Sequence, residues 1–350
     1  MHMADALISP PVGGAMWAAS MGLAAYSARR LKPEMAERKI PLMGVLGAFV
    51  FAAQMINFTI PVTGSSGHLG GGMILAILLG PHAAFLVMFS ILAVQALFFA
   101  DGGLLALGCN VFNLGFWPCF VVYPLVFRRM AGESPSRGRI LTGSVAAGIL
   151  SLQLGAFCVV VQTLVSGISE LPFGTFVLLM QPIHLGIGVV EGLVTAALVS
   201  FVWRARPEVL ELSADHGGAP AGSLRPVLAA FAAATLVTGA LLSWFASTHP
   251  DGLEWAMFRT TGKEELAVPD GGIHAALAGL QEKTAFMPDY GFAEAPAETE
   301  EPAAEAGQWP SVSAGTSVAG VVGGAMVLAL AALIGLSLRL IPRRPAPVTA

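Results

Sequence analysis

Hydrophobic positions fall into nine runs along the chain, near residues 11–28, 40–60, 70–80, 82–99, 104–127, 140–166, 173–203, 224–246 and 315–338, with short polar stretches between them. About twenty apolar residues suffice to cross a bilayer as a helix, the form in which each backbone amide finds its partner within the segment. The pattern predicts an all-α fold, a polytopic membrane helix bundle. The third run is short and Gly-rich, the composition of a half-helix.

The polar stretches decide whether that third run crosses. Arg29, Arg30, Lys32, Arg38 and Lys39 follow the first run; Arg128, Arg129, Arg137 and Arg139 separate the fifth and sixth; Arg204, Arg206 and Arg225 separate the seventh and eighth; Arg339, Arg343 and Arg344 follow the last. Nine crossings put all four clusters on one side, which the positive-inside rule makes cytoplasmic. Eight would set the clusters against one another, so the third run is counted as a crossing. The N-terminus, the 61–69 loop, the 100–103 turn, the 167–172 loop and the acidic 247–314 segment then lie outside, and the C-terminus lies in the cytoplasm. The stretch PEVLELSADHGGAPAGS divides the chain into a seven-span domain at 1–206, a cytoplasmic linker at 207–223 and a two-span unit at 224–345. The AEAPAETEEPAAEAG stretch in the external loop reads as a solvated linker.

Composition agrees with the pattern. Charged residues make up 11% of the chain, less than half the share of about 25% usual in soluble domains. The net charge of −4 hides the segregation just described, and no basic excess suggests a nucleic-acid partner. Cys109, Cys119 and Cys158 lie in apolar runs without CxxC spacing and read as small buried hydrophobes. No Lys or Arg precedes Arg29, so the basic opening of a removable signal peptide is missing. The first residues are expected to persist.

That expectation gives the second residue a chemical meaning. The Met1 amine, the His2 backbone nitrogen and the His2 ring can close fused chelate rings on one metal ion. His68, in the Gly-rich loop PVTGSSGHLGGG, lies on the same side and can supply another nitrogen. Nitrogens in a plane suit Ni(II) or Cu(II) better than tetrahedral Zn(II). A frayed terminal His and a flexible turn would explain the same residues on spacing alone. Ser65 and Ser66 can hydrogen-bond a neighbouring group. His184 and Glu191 lie two helical turns apart and so share a face. Asn110 and Asn113 share a face near the outer end of the fifth run, where they can bond the N-terminal segment. Asp101 reads as a turn residue, and His249 and His274 as solvated.

The residues carry a resemblance to a known family. The opening MHMADALISP, with Met1, His2 and Asp5, resembles that of the nickel/cobalt substrate-capture membrane subunits of energy-coupling factor transporters. The loop GSSGHLGGG is similar to that family's second metal-binding segment. QALFFADGGLLALGCNVFNLG at 95–115 and QPIHLGIGVVEGLVT at 181–195 follow in the family's order. HPDGLEWA at 249–256 and MPDYGF at 287–292 resemble the small two-span partner subunit of the same transporters, here fused. The resemblance implies that Met1, His2 and His68 hold the metal, with Asp5, Ser65, Ser66, Asn110, Asn113 and His184 around them. Met3-Ala4 and Ala6 depart from the Gly- or Pro-containing opening of many relatives without removing a ligand.

The function implied is capture of Ni2+ or Co2+ outside a bacterial inner membrane and its delivery inward, with no organic cofactor. The implied partners are a coupling transmembrane subunit and cytoplasmic ATPase subunits. This chain has no GxxxxGK[ST] loop of its own with which to hold ATP phosphates. Three rival readings stay open. One is cobalt-specific uptake for cobalamin synthesis. Another is capture of an organic vitamin, which needs an aromatic-lined pocket and no His2. The third is a membrane metal-dependent hydrolase, which needs an open coordination position and a nearby base; HExxH and GxSxG are both absent.

Overall fold

A computed structural model describes residues 2–31, 33–61, 63–169, 171–210, 223–269, 271–292 and 309–339. Met1, Lys32, most of the expected 207–223 linker with His216, the 293–307 stretch, Arg343 and Arg344 lie outside the described residues.

The chain is an all-α polytopic membrane bundle. Its core helices are α1 (Pro10–Arg30), α2 (Pro33–Gln54), α3 (Gly72–Leu79), α4 (Pro81–Phe98), α5 (Leu107–Ala131), α6 (Arg137–Ser166) and α7 (Phe173–Ala205). Next come α8 (Arg225–Ala240), the shorter helices α9 (Gly252–Thr261) and α10 (Gly272–Thr284), and α11 (Ala314–Arg339). Among the described residues, α4, α5, α6, α7 and α11 are long and apolar enough to cross a membrane, and Lys39–Gln54 and α8 are shorter apolar helices. Pro10 and Pro11 open α1, where a missing amide hydrogen costs nothing. Residues 112–127 of α5 are wound as a π-helix around Pro118 and Pro124, which have no N–H for the ordinary ladder.

The third run is helical only in part. Helix α3 is a half-helix, about 12 Å long at 1.5 Å per residue, too short for a hydrocarbon layer of about 30 Å. At one end Lys39 Nζ donates to Leu79 O at 3.0 Å. At the other, Gly71 takes a left-handed turn (φ 74°) against Val50. The buried segment 65–71 before it is not helical. Buried backbone polar groups need partners, and here side chains supply them. Glu191 on α7 accepts from Gly70 N at 2.7 Å and Gly71 N at 3.0 Å, while Gln54 Nε2 donates to Gly70 O at 2.8 Å.

Two run ends differ from the expected helices. The run at 40–60 leaves helix after Gln54 and folds into a hairpin of β1 (Phe58–Ile60) and β2 (Ser65–Gly67), with Thr59 opposite Ser66. Pro61 and Gly64 turn the hairpin. The run at 224–246 ends as α8 at Ala240 and a short turn at Leu242–Phe245. Helices α8 and α11 pack against α2, while α9 and α10 cap the end of the bundle that carries the N-terminal segment.

Candidate metal centre

The N-terminal segment threads into the bundle. Met3, Leu7 and Ile8 are fully buried, so an apolar side draws in a strand of backbone whose polar atoms then need partners. Asn110 supplies two, accepting from Met3 N at 2.8 Å and donating to Met3 O at 3.2 Å. Gly103 N also donates to Met3 O, at 2.9 Å. Asp5 Oδ1 accepts from Ala106 N at 2.9 Å. Asn113 pairs with Gln162 at 2.8 and 3.0 Å, with its amide 3.8 Å from Met3 Sδ. These bonds fix where the segment begins, and therefore where His2 stands.

The His2 side chain is 6% exposed. Its ring stacks on His68, centroids 4.9 Å apart and planes 22° from parallel. Two residues far apart in the chain thus bring their imidazoles face to face. His68 Nδ1 lies 2.9 Å from Leu69 O; a carbonyl only accepts, so Nδ1 carries the hydrogen and Nε2 the lone pair. Burial pushes the His68 ring down to about 3, which favours its neutral form. His2 Nδ1 lies 2.7 Å from Asp101 Oδ1, and His2 Nε2 is buried without a hydrogen-bond partner among the described residues. Burial alone would raise the Asp101 carboxyl, but its contact with the His2 ring and a hydroxyl from Tyr290 hold it well below the usual range. Met1 lies outside the described residues.

The other expected residues are placed around this pair. Ser65 Oγ meets Thr63 Oγ1 at 2.7 Å. Ser66 donates through Oγ to His249 O and through N to Pro250 O, both at 2.8 Å. The HPDGLE segment therefore runs beside β2, one residue from His68. Asp251 and Glu254 then start α9 with a reciprocal capping box. His184 bonds its own helix, Nδ1 to Met180 O at 2.8 Å, and packs under Gly252.

Two expectations about the outer residues are overturned. His274 is buried, not solvated, with Nε2 at 2.9 Å from Ile8 O, because α10 lies across the N-terminal segment. Asp101 is more than a turn residue, since it holds the His2 ring. Tyr290 and Gln281, which bonds Ala96 O and Gly102 O at 2.8 Å, carried no chemical signal in the sequence beyond the MPDYGF motif near them. His249 is exposed, as expected.

Between the N-terminal segment, the 100–103 turn, α9 and α10 lies a cavity of about 370 Å³, lined by Asp5, Asp101, Asp251, Glu254, Glu265 and Asp289, with no Lys or Arg. Burial and the Asp251 charge raise the Glu254 carboxyl to about 7. The cavity is an acidic approach to His2. Beneath it lie two buried imidazoles, one with an orphaned nitrogen, and a carboxylate engaged by a ring; among the described residues no three such side chains are grouped as a metal site.

Residues 2–209 match the family model described as the cobalt uptake substrate-specific transmembrane region. The chain belongs to this cobalt-uptake family. Residues 225–340 match a second model, the PDGLE domain. The chain is 32% identical over 94% of its length to a protein of Archaeoglobus fulgidus provisionally named a fused nickel transport protein, NikMN, covering 96% of that protein. It is 29% identical to the cobalt transport protein CbiM of Geobacter sulfurreducens, over 77% of this chain and 76% of that one. A crystal structure of a transition metal transporter superposes with a TM-score of 0.53 at 27% identity, covering 62% of this chain and 100% of the other. As a member of the cobalt-uptake family the chain is a transport component, not an enzyme: the substrate-capture subunit of an energy-coupling factor transporter for the nickel and cobalt class of ions.

Proposed function

We propose that this chain captures Ni2+ at the outer face of a cytoplasmic membrane through the Met1 amine, the His2 backbone nitrogen, the His2 ring and the His68 ring. The observation that carries the reading is the stacking of His2 on His68 at the end of a buried N-terminal segment. Planar nitrogen ligation favours nickel over cobalt. Residues 1–206 form the capture domain, 207–223 a cytoplasmic linker and 224–345 an accessory unit that steadies the N-terminal segment from outside. The N-terminus is external and the C-terminus cytoplasmic. A coupling membrane subunit and cytoplasmic ATPase subunits supply the energy, and reorientation of the core delivers the ion inward.

The test is metal analysis of the full chain purified with its native N-terminus, alongside His2→Ala and a form with one extra residue before Met1. The native chain is expected to hold nickel stoichiometrically, also with cobalt in equal supply, and both altered forms to lose it. Stoichiometric nickel in all three would remove the proposed site; preferential cobalt in the native chain would reverse the metal assignment.

A further inference from the structure

The MPDYGF motif of the accessory unit reaches the metal centre through one side chain. Tyr290 O–H donates to Asp101 Oδ2, and Asp101 Oδ1 contacts the His2 ring. Tyr290 is held tightly for this. Its ring stacks on Phe99 at 5.1 Å and meets Phe51 edge-on at 6.1 Å. The backbone before it is tied down, with Asp289 N donating to Phe99 O at 2.9 Å and Met287 N to Phe98 O at 3.3 Å. Asp289 and Tyr290 both have positive φ, 51° and 59°, a conformation non-glycine residues seldom adopt and keep only where the surroundings impose it. Stacking alone would be served as well by Phe. The hydroxyl is what the strained turn delivers.

We infer that Tyr290 and Asp101 are positioning residues for metal capture, so that the accessory unit builds part of the metal centre and does more than cover it. With Oδ2 held by Tyr290, Oδ1 is aimed at one edge of the His2 ring. A carboxylate only accepts, so the ring nitrogen on that edge must carry the hydrogen, and the other nitrogen carries the lone pair that a metal needs. A chelate that includes the His2 backbone nitrogen closes through Cα, Cβ, Cγ and Nδ1, because Nε2 points away from the backbone. Nδ1 now faces Asp101, so chelation requires half a turn about Cβ–Cγ. That turn exchanges Nδ1 with Cδ2 and brings Nε2 to the Asp101 edge; Nδ1 gives its hydrogen to water, Nε2 takes one from water, and the Nε2–H then faces the carboxylate. The loaded centre is then a carboxylate–histidine–metal arrangement whose carboxylate is set by the accessory unit. Outer partners of this kind typically change metal affinity by about 10–100-fold when removed.

The inference rests on the reading that His2 is a ligand, and the experiment separates the two. The full chain with its native N-terminus is loaded with Ni2+ and challenged with excess chelator, following metal loss and the ligand-field absorption band. The variants are Tyr290→Phe, Asp101→Asn, His2→Ala and Gln281→Ala, the last loosening the same contact region without touching Asp101. Tyr290→Phe is expected to speed nickel loss about tenfold, with an unchanged band position and an unchanged thermal midpoint without metal. Asp101→Asn should lose nickel faster still, and Gln281→Ala should stay within about twofold of the native chain. Dissociation at the native rate in Tyr290→Phe or in Asp101→Asn overturns the inference, as does equal acceleration in Tyr290→Phe and Gln281→Ala, which would mean simple docking. If His2→Ala still binds nickel with the same band, the ligand reading itself fails.

Discussion

Gly103 has no room for a side chain. A Cβ there would stand 1.9 Å from Asp5 Oδ1 and 2.5 Å from Asp5 N, so Gly103→Ala must push the N-terminal segment out of its groove. The Asp5 bond to Ala106 N and the Gly103 bond to Met3 O go with it, each leaving a buried group whose orphaning costs about 1–3 kcal/mol. The expected outcome is a lower thermal midpoint in detergent and loss of stoichiometric nickel. Gly14→Ala, where a Cβ meets nothing within 4 Å, should change neither; nickel retained by Gly103→Ala would mean that the segment's seat does not matter. At this scale the sequence was legible where chemistry depends on covalent neighbours. Met1-His2 offers an amine, an amide and an imidazole on neighbouring atoms, and the Gly-rich loop offers His68, whose ring the structure stacks on that of His2. Asp101 and Tyr290 were illegible because their meaning is created by distance: Asp101 reaches His2 across 99 residues and Tyr290 reaches Asp101 across 189. His274 was misread for the same reason, since an imidazole in a polar loop gives no hint that a helix will lay it on Ile8.

The helices were legible because hydrocarbon imposes one rule on all of them. The long apolar runs became helices over most of their length, and the departures are the β1–β2 hairpin, the half-helix α3 and the turn that ends the 224–246 run. How the helices meet is set by small residues. Gly188 and Gly192, one turn apart on α7, let that helix approach α6 closely: a Cβ on Gly192 would lie 2.4 Å from Val145 Cα, and one on Gly188 2.7 Å from Ile149 Cα. Close backbone approach is a main source of helix association in lipid, where burial of apolar surface contributes little. Glu191 sits between these glycines and holds the amides of Gly70 and Gly71, so the spacing of α6 and α7 also sets the exit of the His68 loop. Gly192→Ala is therefore predicted to do two things. It should destabilise the bundle by about 1–3 kcal/mol through overpacking, read as a lower unfolding temperature in detergent. It should also increase hydrogen exchange at Gly70 and Gly71. Gly174→Ala, with open space around its Cβ, is the control. Unchanged exchange at the loop in Gly192→Ala would show that the helix spacing and the His68 loop are not coupled.

The whole molecule joins two units through more than their shared backbone. Inside the bundle, a Cβ on Gly323 would stand 2.1 Å from Phe51 Cζ, and Gly320 comes so close to Gly239 that a Cβ would stand 2.5 Å from its carbonyl oxygen. Trp244 Nε1 donates to Ser317 Oγ at 2.8 Å, tying the ends of α8 and α11. Outside, the accessory unit touches the core at several places, among them Ser66 beside His249 and Pro250, Ile8 under His274, and the 100–103 turn under Gln281 and Tyr290. Phe51 links the two regions, since it faces Gly323 within the bundle and Tyr290 at its outer end. Covalent fusion raises the local concentration of one unit near the other but adds no contact. Residues 1–210 and 223–350 expressed together as separate chains should therefore co-purify and hold nickel nearly as long as the intact protein. Gly323→Val in the shorter chain should prevent that by forcing α11 off Phe51. The 1–210 chain alone should release nickel at the faster rate expected of Tyr290→Phe, because both lack the hydroxyl on Asp101. If the separate chains fail to associate while each is present in the membrane, the tether and not the interface holds the units together. If the 1–210 chain alone keeps nickel as long as the pair, the outer contacts cover the metal centre without shaping it.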